Sequence, residues 1–140
     1  MLYGDRDNVR QVFVDTFHKV SSGEMLSPME QIIADVIQEH PEYHAVLRLG
    51  EITGDYTVER GETNPFLHMG MHITIREQVS IDRPVGIAAA WRQLVLREDA
   101  HKAEHRMLDC LAETLLQAQR SSTPPDEQAY LEAVRRLGEM

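Results

Sequence analysis

The chain has 140 residues, a net charge of −9 and one cysteine, Cys110. This length predicts a single domain over residues 1–140. The acidic balance argues against binding to nucleic-acid phosphates and to anionic membrane surfaces, and a lone cysteine excludes an intrachain disulfide and a thiolate metal cluster. Because no apolar run approaches the ~18 residues of a spanning helix and the start lacks the pattern of a secretory signal, we expect a cytoplasmic protein.

The first half of the chain is predicted to contain three helices separated by short breaks. Apolar residues at helical spacing mark the first helix, which ends near Gly23. Ser27 and Glu30 have the spacing of a capping box and open the second helix. Pro41 ends that helix and opens a short third one. Residues 50–63 hold three glycines and no apolar period, and we interpret them as the longest loop.

The segment from Asn64 to about Val79 allows two interpretations. Its apolar residues alternate as in a strand, at Met69, Met71, Ile73 and Ile75. The Asn64-Pro65 start and the length favour a buried helix, although Gly70 weakens it. We therefore predict a helix, with a strand as the alternative.

The second half of the chain is predicted to hold three more helices. Asp82 and Pro84 open the first of them, and a kink or break is expected at Arg97–Asp99. A long helix then runs to about Arg120, and a turn leads into a final amphipathic helix. The predicted fold class is therefore all-α, a compact bundle or orthogonal array of about six helices.

Six of the seven histidines form three pairs with a spacing of four residues. The pairs are His40/His44, His68/His72 and His101/His105. Random placement would give roughly 0.3 such pairs. On a helix, residues four apart share one face and can hold one metal ion between them. The sequence therefore predicts a histidine-lined site on a helical scaffold.

Two of these pairs are predicted to face the protein interior. His101 and His105 lie on the same helical stripe as Leu108 and Leu115, and in a helix His68 and His72 would align with inward residues. Buried imidazoles need partners, and a shared metal ion is one that serves several rings at once.

Three carboxylates are candidates to complete such a site or to act as a general base. They are Glu62, Glu77 and Asp109. Imidazole with one or two carboxylates suits a divalent zinc, iron, manganese or nickel ion, and the sequence does not choose among them.

A structural interpretation stands beside the metal site. The histidines could instead form a hydrogen-bonded network that is sensitive to pH, since imidazole titrates near neutrality. Pro41 splits the pair of His40 and His44, so we interpret His40 as a helix cap and His44 as a surface or interface residue.

Several motifs together resemble a known bacterial family. They are the strings Glu62–His72, Arg76–Gln78, His40–His44, Asp82–Pro84 and His101–His105. The chain resembles the family catalogued as domain of unknown function 1841, over nearly its whole length. The resemblance implies a small, stand-alone helical protein and carries no catalytic assignment.

Two functions remain open from the sequence. The first is a metal-binding helical protein, as a metal-dependent hydrolase or redox enzyme. The second is a non-catalytic interaction module with a histidine network, whose working surface is an apolar groove or the face of a homodimer.

Overall fold

A computed structural model of the chain describes residues 6–50 and 64–139, and all regular elements in these residues are helical. The predicted all-α class is confirmed. The α-helices are α1 (Arg6–Ser22), α2 (Pro28–Gln38), α3 (His44–Leu49), α4 (Pro65–Ile81), α5 (Ile87–Val95), α6 (Ala100–Ser121) and α7 (Glu127–Glu139), with a 3₁₀ turn at Pro41–Tyr43. The helix predicted for the ambiguous segment after Asn64 is confirmed as α4.

The residues group into two compact units. The N-terminal unit comprises Met1–Ile73 and the C-terminal unit Thr74–Met140, so α4 begins in one and ends in the other. A single domain over 1–140 stays a prediction. Gly50 ends α3 in a left-handed conformation, with φ of 69°. The remainder of the predicted loop, including Glu62, lies outside the described residues.

The core of the N-terminal unit is formed by the apolar faces of α1 and α2 and the first turns of α4. Phe13, Ile33 and Met69 are fully buried there, and burial of each such side chain contributes about 1.5–3 kcal/mol to the free energy of folding.

The predicted capping box fixes the start of α2. Ser27 Oγ accepts a hydrogen bond from the Glu30 amide at 3.1 Å, and the Glu30 carboxylate accepts one from the Ser27 amide at 2.9 Å.

The core of the C-terminal unit is lined by α5, α6, α7 and the end of α4. In α6 the buried residues are Ala103, Glu104, Met107, Leu108 and Leu111. The inward stripe predicted for this helix is therefore wrong in part, because His101 and Leu115 are exposed. The buried face is rotated toward Glu104, whose carboxylate accepts hydrogen bonds from Arg76 Nε at 3.1 Å to both oxygens.

The break between α5 and α6 is confirmed, and the start of α5 needs a correction. Asp82 precedes the helix by a turn, and its side chain caps the first amides. Its Oδ1 accepts hydrogen bonds from the amides of Gly86 and Ala88 at 3.1 and 3.0 Å. The helix therefore begins at Ile87, later than predicted. Asp99 caps α6 through the Lys102 amide at 3.0 Å.

No helix among the described residues combines the length with the apolar character that crossing a membrane would need.

Candidate metal centre

The end of α2 fixes the position of one histidine, His40. A helix leaves its last four carbonyls without partners inside the helix. Pro41 prevents α2 from continuing, so the Val36 carbonyl does not receive the backbone amide of His40, which turns to Ile37 instead. The imidazole takes its place, because His40 Nδ1 lies 2.8 Å from the Val36 oxygen.

This hydrogen bond also fixes the tautomer of the His40 ring. A carbonyl oxygen can only accept, so Nδ1 must carry the hydrogen. In the neutral ring the lone pair then resides on Nε2. Histidines that bind metals in proteins have this arrangement, with one ring nitrogen donating to a carbonyl or carboxylate and the other facing the ion.

Helix α4 contributes two histidines one turn apart. Asn64 starts this helix, since its Oδ1 accepts hydrogen bonds from the amides of Phe66 and Leu67, each at 3.1 Å. His68 and His72 follow on one face, with ring centroids 4.8 Å apart. Their Nε2 atoms are 3.1 Å apart, so one ring donates a hydrogen bond and the other accepts it.

The three rings converge in the N-terminal unit. The centroid of His40 lies 5.1 Å from that of His68 and 4.7 Å from that of His72. One nitrogen from each ring can be chosen so that all lie within 4.8 Å of one another. His40 and His72 are 2% and 0% exposed, and His68 is half-buried. We call these three residues the histidine cluster.

The spacing of the cluster suits a transition-metal ion. Two imidazole nitrogens bound to one ion at 2.0–2.1 Å are themselves about 2.9–3.4 Å apart, depending on the coordination angle. The 3.1 Å between the Nε2 atoms of His68 and His72 falls in this range. A bound ion would replace the hydrogen bond between these rings, and His40 contributes a nitrogen within 4.8 Å of theirs.

The other predicted ligands belong to the C-terminal unit or lie outside the described residues. His101 and His105 are paired on α6 in the C-terminal unit, with ring centroids 4.4 Å apart, His101 being exposed and His105 half-buried. Glu77 is half-buried on α4, and Glu62 is not among the described residues. Asp109 is exposed and lines a groove of about 610 Å³ between α6 and α7. That any of these shares an ion with His68 and His72 stays a prediction.

Two further side chains named from the sequence have structural surroundings. His44 Nε2 donates to the Ile37 carbonyl at 2.9 Å, and its ring packs on Phe17. Cys110 is half-buried, and burial raises the pKa of its thiol, as expected for an unreactive cysteine.

The interpretation of His40 as a helix cap requires a correction. It occupies the position before the 3₁₀ turn, but its side chain makes no capping hydrogen bond there. The ring faces back along α2 toward Val36 and meets the α4 histidines instead. The spacing of four from His44 was the available signal, yet these two rings bond different carbonyls and only His40 joins the cluster.

Comparison with known proteins adds the family. The family model described as domain of unknown function (DUF1841) matches residues 5–136. The chain belongs to this family. The resemblance seen in the DUF1841 motifs is thus confirmed, and the family description names no activity. Searches of curated proteins and of solved structures found no match.

Proposed function

We propose that this DUF1841 protein binds a divalent transition-metal ion through His40, His68 and His72. The observation that carries the proposal is the convergence of three imidazoles with the His40 tautomer already set by the Val36 carbonyl. Preformed donors lower the ordering cost of binding.

The donor chemistry favours some ions over others. Imidazole nitrogen suits zinc, iron(II) and nickel, whereas manganese prefers oxygen ligands. Zinc is therefore the first candidate, followed by iron and nickel. When bound, such an ion supplies Lewis-acid character, and it would also link the end of α2 to α4. The two activities considered from the sequence need different ions, because zinc supports hydrolysis but has no redox chemistry, whereas iron supports both.

The experiment is elemental analysis of untagged protein, purified without chelators and without a nickel column. His40→Ala and His68→Ala remove cluster ligands, and His18→Ala is a matched control because His18 is exposed. We expect near-stoichiometric metal in wild type and His18→Ala, and loss of metal from folded His40→Ala and His68→Ala. Wild-type protein that holds no metal and shows no thermal shift with zinc, iron(II), nickel or manganese would refute the proposal.

The same preparation tests the remaining ligands predicted from the sequence. His105→Ala and His101→Ala test whether the α6 pair binds the metal ion. Glu62→Gln, Glu77→Gln and Asp109→Asn test the same for the carboxylates. A ligand is identified by lost or weakened metal binding in a variant that retains its helical circular dichroism.

The second candidate function is an interaction module in which the histidines form a structural network. It is favoured by the hydrogen bonds the rings already make, between His68 and His72 and from His40 to Val36. The elemental analysis separates the two candidates: a metal-free, chelator-indifferent protein would support the network, and partners or a homodimer would then be sought.

A further inference from the structure

One aromatic residue packs against two members of the histidine cluster. Tyr43 lies in the 3₁₀ turn that follows His40. Its ring is parallel to that of His40, with an interplanar angle of 6° and a centroid distance of 5.6 Å. The same ring meets His68 edge-on at 6.1 Å and 72°. Tyr43 therefore contacts one cluster histidine that follows α2 and one on α4.

The stacked contact restricts His40 in a way the hydrogen bond does not. The bond from Nδ1 to the Val36 carbonyl fixes one atom of the ring but allows the plane to pivot about it. An offset parallel stack fixes the plane, and aromatic pairs of this kind contribute about 0.5–1.5 kcal/mol beyond burial. The two restraints together fix both the position and the direction of the Nε2 lone pair.

The stack should also distinguish metal-bound from metal-free His40. An imidazole that coordinates a dication becomes electron-poor, and the face of a tyrosine ring attracts positive charge. Tyr43 is half-buried, and its ring is parallel to that of His40. The contact therefore stabilises the metal-bound form more than the metal-free form.

We propose that Tyr43 is a positioning residue that orients His40 for metal binding through its aromatic ring. The inference rests on the metal-binding function proposed above. It assigns the effect to the ring and not to the hydroxyl group, because the contacts with His40 and His68 are ring contacts.

The test compares Tyr43→Leu, Tyr43→Phe and Phe17→Leu with wild type. Phe17→Leu is the matched control, since Phe17 is another half-buried aromatic residue that packs on a histidine, His44 at 5.3 Å, outside the cluster. Zinc affinity is measured by competition with a chromophoric chelator, and the visible spectrum of cobalt-loaded protein reports the coordination geometry. Circular dichroism establishes that each variant is folded.

We expect Tyr43→Leu to weaken zinc binding about tenfold or more, as for other residues that orient metal ligands, and to alter the cobalt spectrum. Tyr43→Phe and Phe17→Leu should retain wild-type affinity and spectrum. Wild-type affinity in Tyr43→Leu would overturn the proposal. An equal loss in Tyr43→Phe would also overturn it, because the hydroxyl group would then carry the effect.

A readout on metal-free protein separates this inference from the metal site itself. In the imidazole nuclear magnetic resonance spectrum, the His40 Nδ1 proton should exchange faster with solvent in Tyr43→Leu than in wild type or Tyr43→Phe. Unchanged exchange together with unchanged affinity refutes the role of Tyr43. Wild-type protein that binds no metal but shows the exchange difference refutes only the metal-binding function and supports the orientation of the ring.

Discussion

At the scale of single residues, His40 shows how a backbone acceptor selects the chemistry of a side chain. An imidazole in water interconverts between tautomers, and only the nitrogen with a lone pair can bind a metal. The Val36 carbonyl removes this choice for His40. His44 bonds through Nε2 to Ile37 and so holds its lone pair on Nδ1 instead. Two histidines of the same spaced pair thus present opposite nitrogens.

A second residue-scale feature gives a pH dependence. The pKa of Glu30 is lowered from 4.5 to about 2, chiefly by the hydrogen bond from Lys19 Nζ at 2.6 Å and then by the Ser27 amide. The folded state therefore prefers the carboxylate more than the unfolded state does. This contribution to stability is fully present above pH 4.5 and is lost as the pH falls toward 2.

We predict that Glu30→Gln makes the protein less sensitive to acid in that window. Glutamine keeps the capping hydrogen bond, since a capping box accepts Glu or Gln, but it cannot titrate. Urea unfolding at pH 6 and at pH 3 measures the difference. Glu127→Gln, at an exposed position of α7, is the control and should leave the acid sensitivity unchanged. Equal acid sensitivity in wild type and Glu30→Gln would contradict the prediction.

At the scale of elements, α4 forms a helix although its sequence also alternates like a strand. Met69 and Met71 are both buried, as are Ile73 and Ile75, so alternation here reflects a helix that is apolar on more than one side. The Asn64 cap was the local feature that correctly predicted a helix. Periodicity alone could not distinguish the two, because a buried helix and a buried strand both read as continuous apolar sequence.

Gly70 lies in this helix between two histidines of the cluster, and we predict that Gly70→Ala stabilises the protein. A Cβ atom at this position meets no atom within 4 Å, and alanine is favoured over glycine in a helix by roughly 0.5–1 kcal/mol. The free energy of unfolding in urea should rise by that amount.

Gly23→Ala is the matched control for this substitution. A Cβ at Gly23 also meets open space, but the residue has φ of +72°, which costs an L-residue about 1–2 kcal/mol. We expect Gly23→Ala to lower the free energy of unfolding. A loss of stability in Gly70→Ala would show that α4 requires glycine for another reason.

The prediction of which face of α6 is buried was wrong in part. The inward face of α6 was assigned from its apolar residues and its histidines, but the structure buries Glu104 and exposes His101. From the sequence alone, a glutamate is predicted to lie at the surface, because its burial requires a partner of opposite charge. Here that partner is Arg76 on another helix, and the sequence does not indicate that pairing.

At the scale of the whole molecule, the site could be predicted only as far as its local part. His68 and His72 are four residues apart in one helix, so their proximity follows from helical geometry. The proximity of His40 to these two rings depends on how α2 ends and on the packing of that end against α4. That packing is a tertiary property. The helices, the capping box of α2 and the break before α6 were predictable for the same reason as the α4 pair: short-range patterns determine them.

A metal ion bound only by the folded protein should change its overall stability. With free zinc at a hundredfold excess over Kd, we predict a gain of about 2.7 kcal/mol, or roughly 5–10 °C in Tm. A chelator should reverse the gain, measured by thermal denaturation. His40→Ala should show no gain, and a wild-type Tm that is identical with zinc and with chelator would contradict the prediction.

The termination of α2 at Pro41 has a consequence for mutational surveys. The side chain of Pro41 offers no atom that could bind a metal or take part in catalysis. Replacing it with a good helix former would allow α2 to continue, so that the His40 amide donates to the Val36 carbonyl. The His40 imidazole would then lose its hydrogen bond to that carbonyl. A saturation screen for metal binding should therefore score Pro41 among the least tolerant positions, alongside His40, His68 and His72, although its side chain contacts no ion.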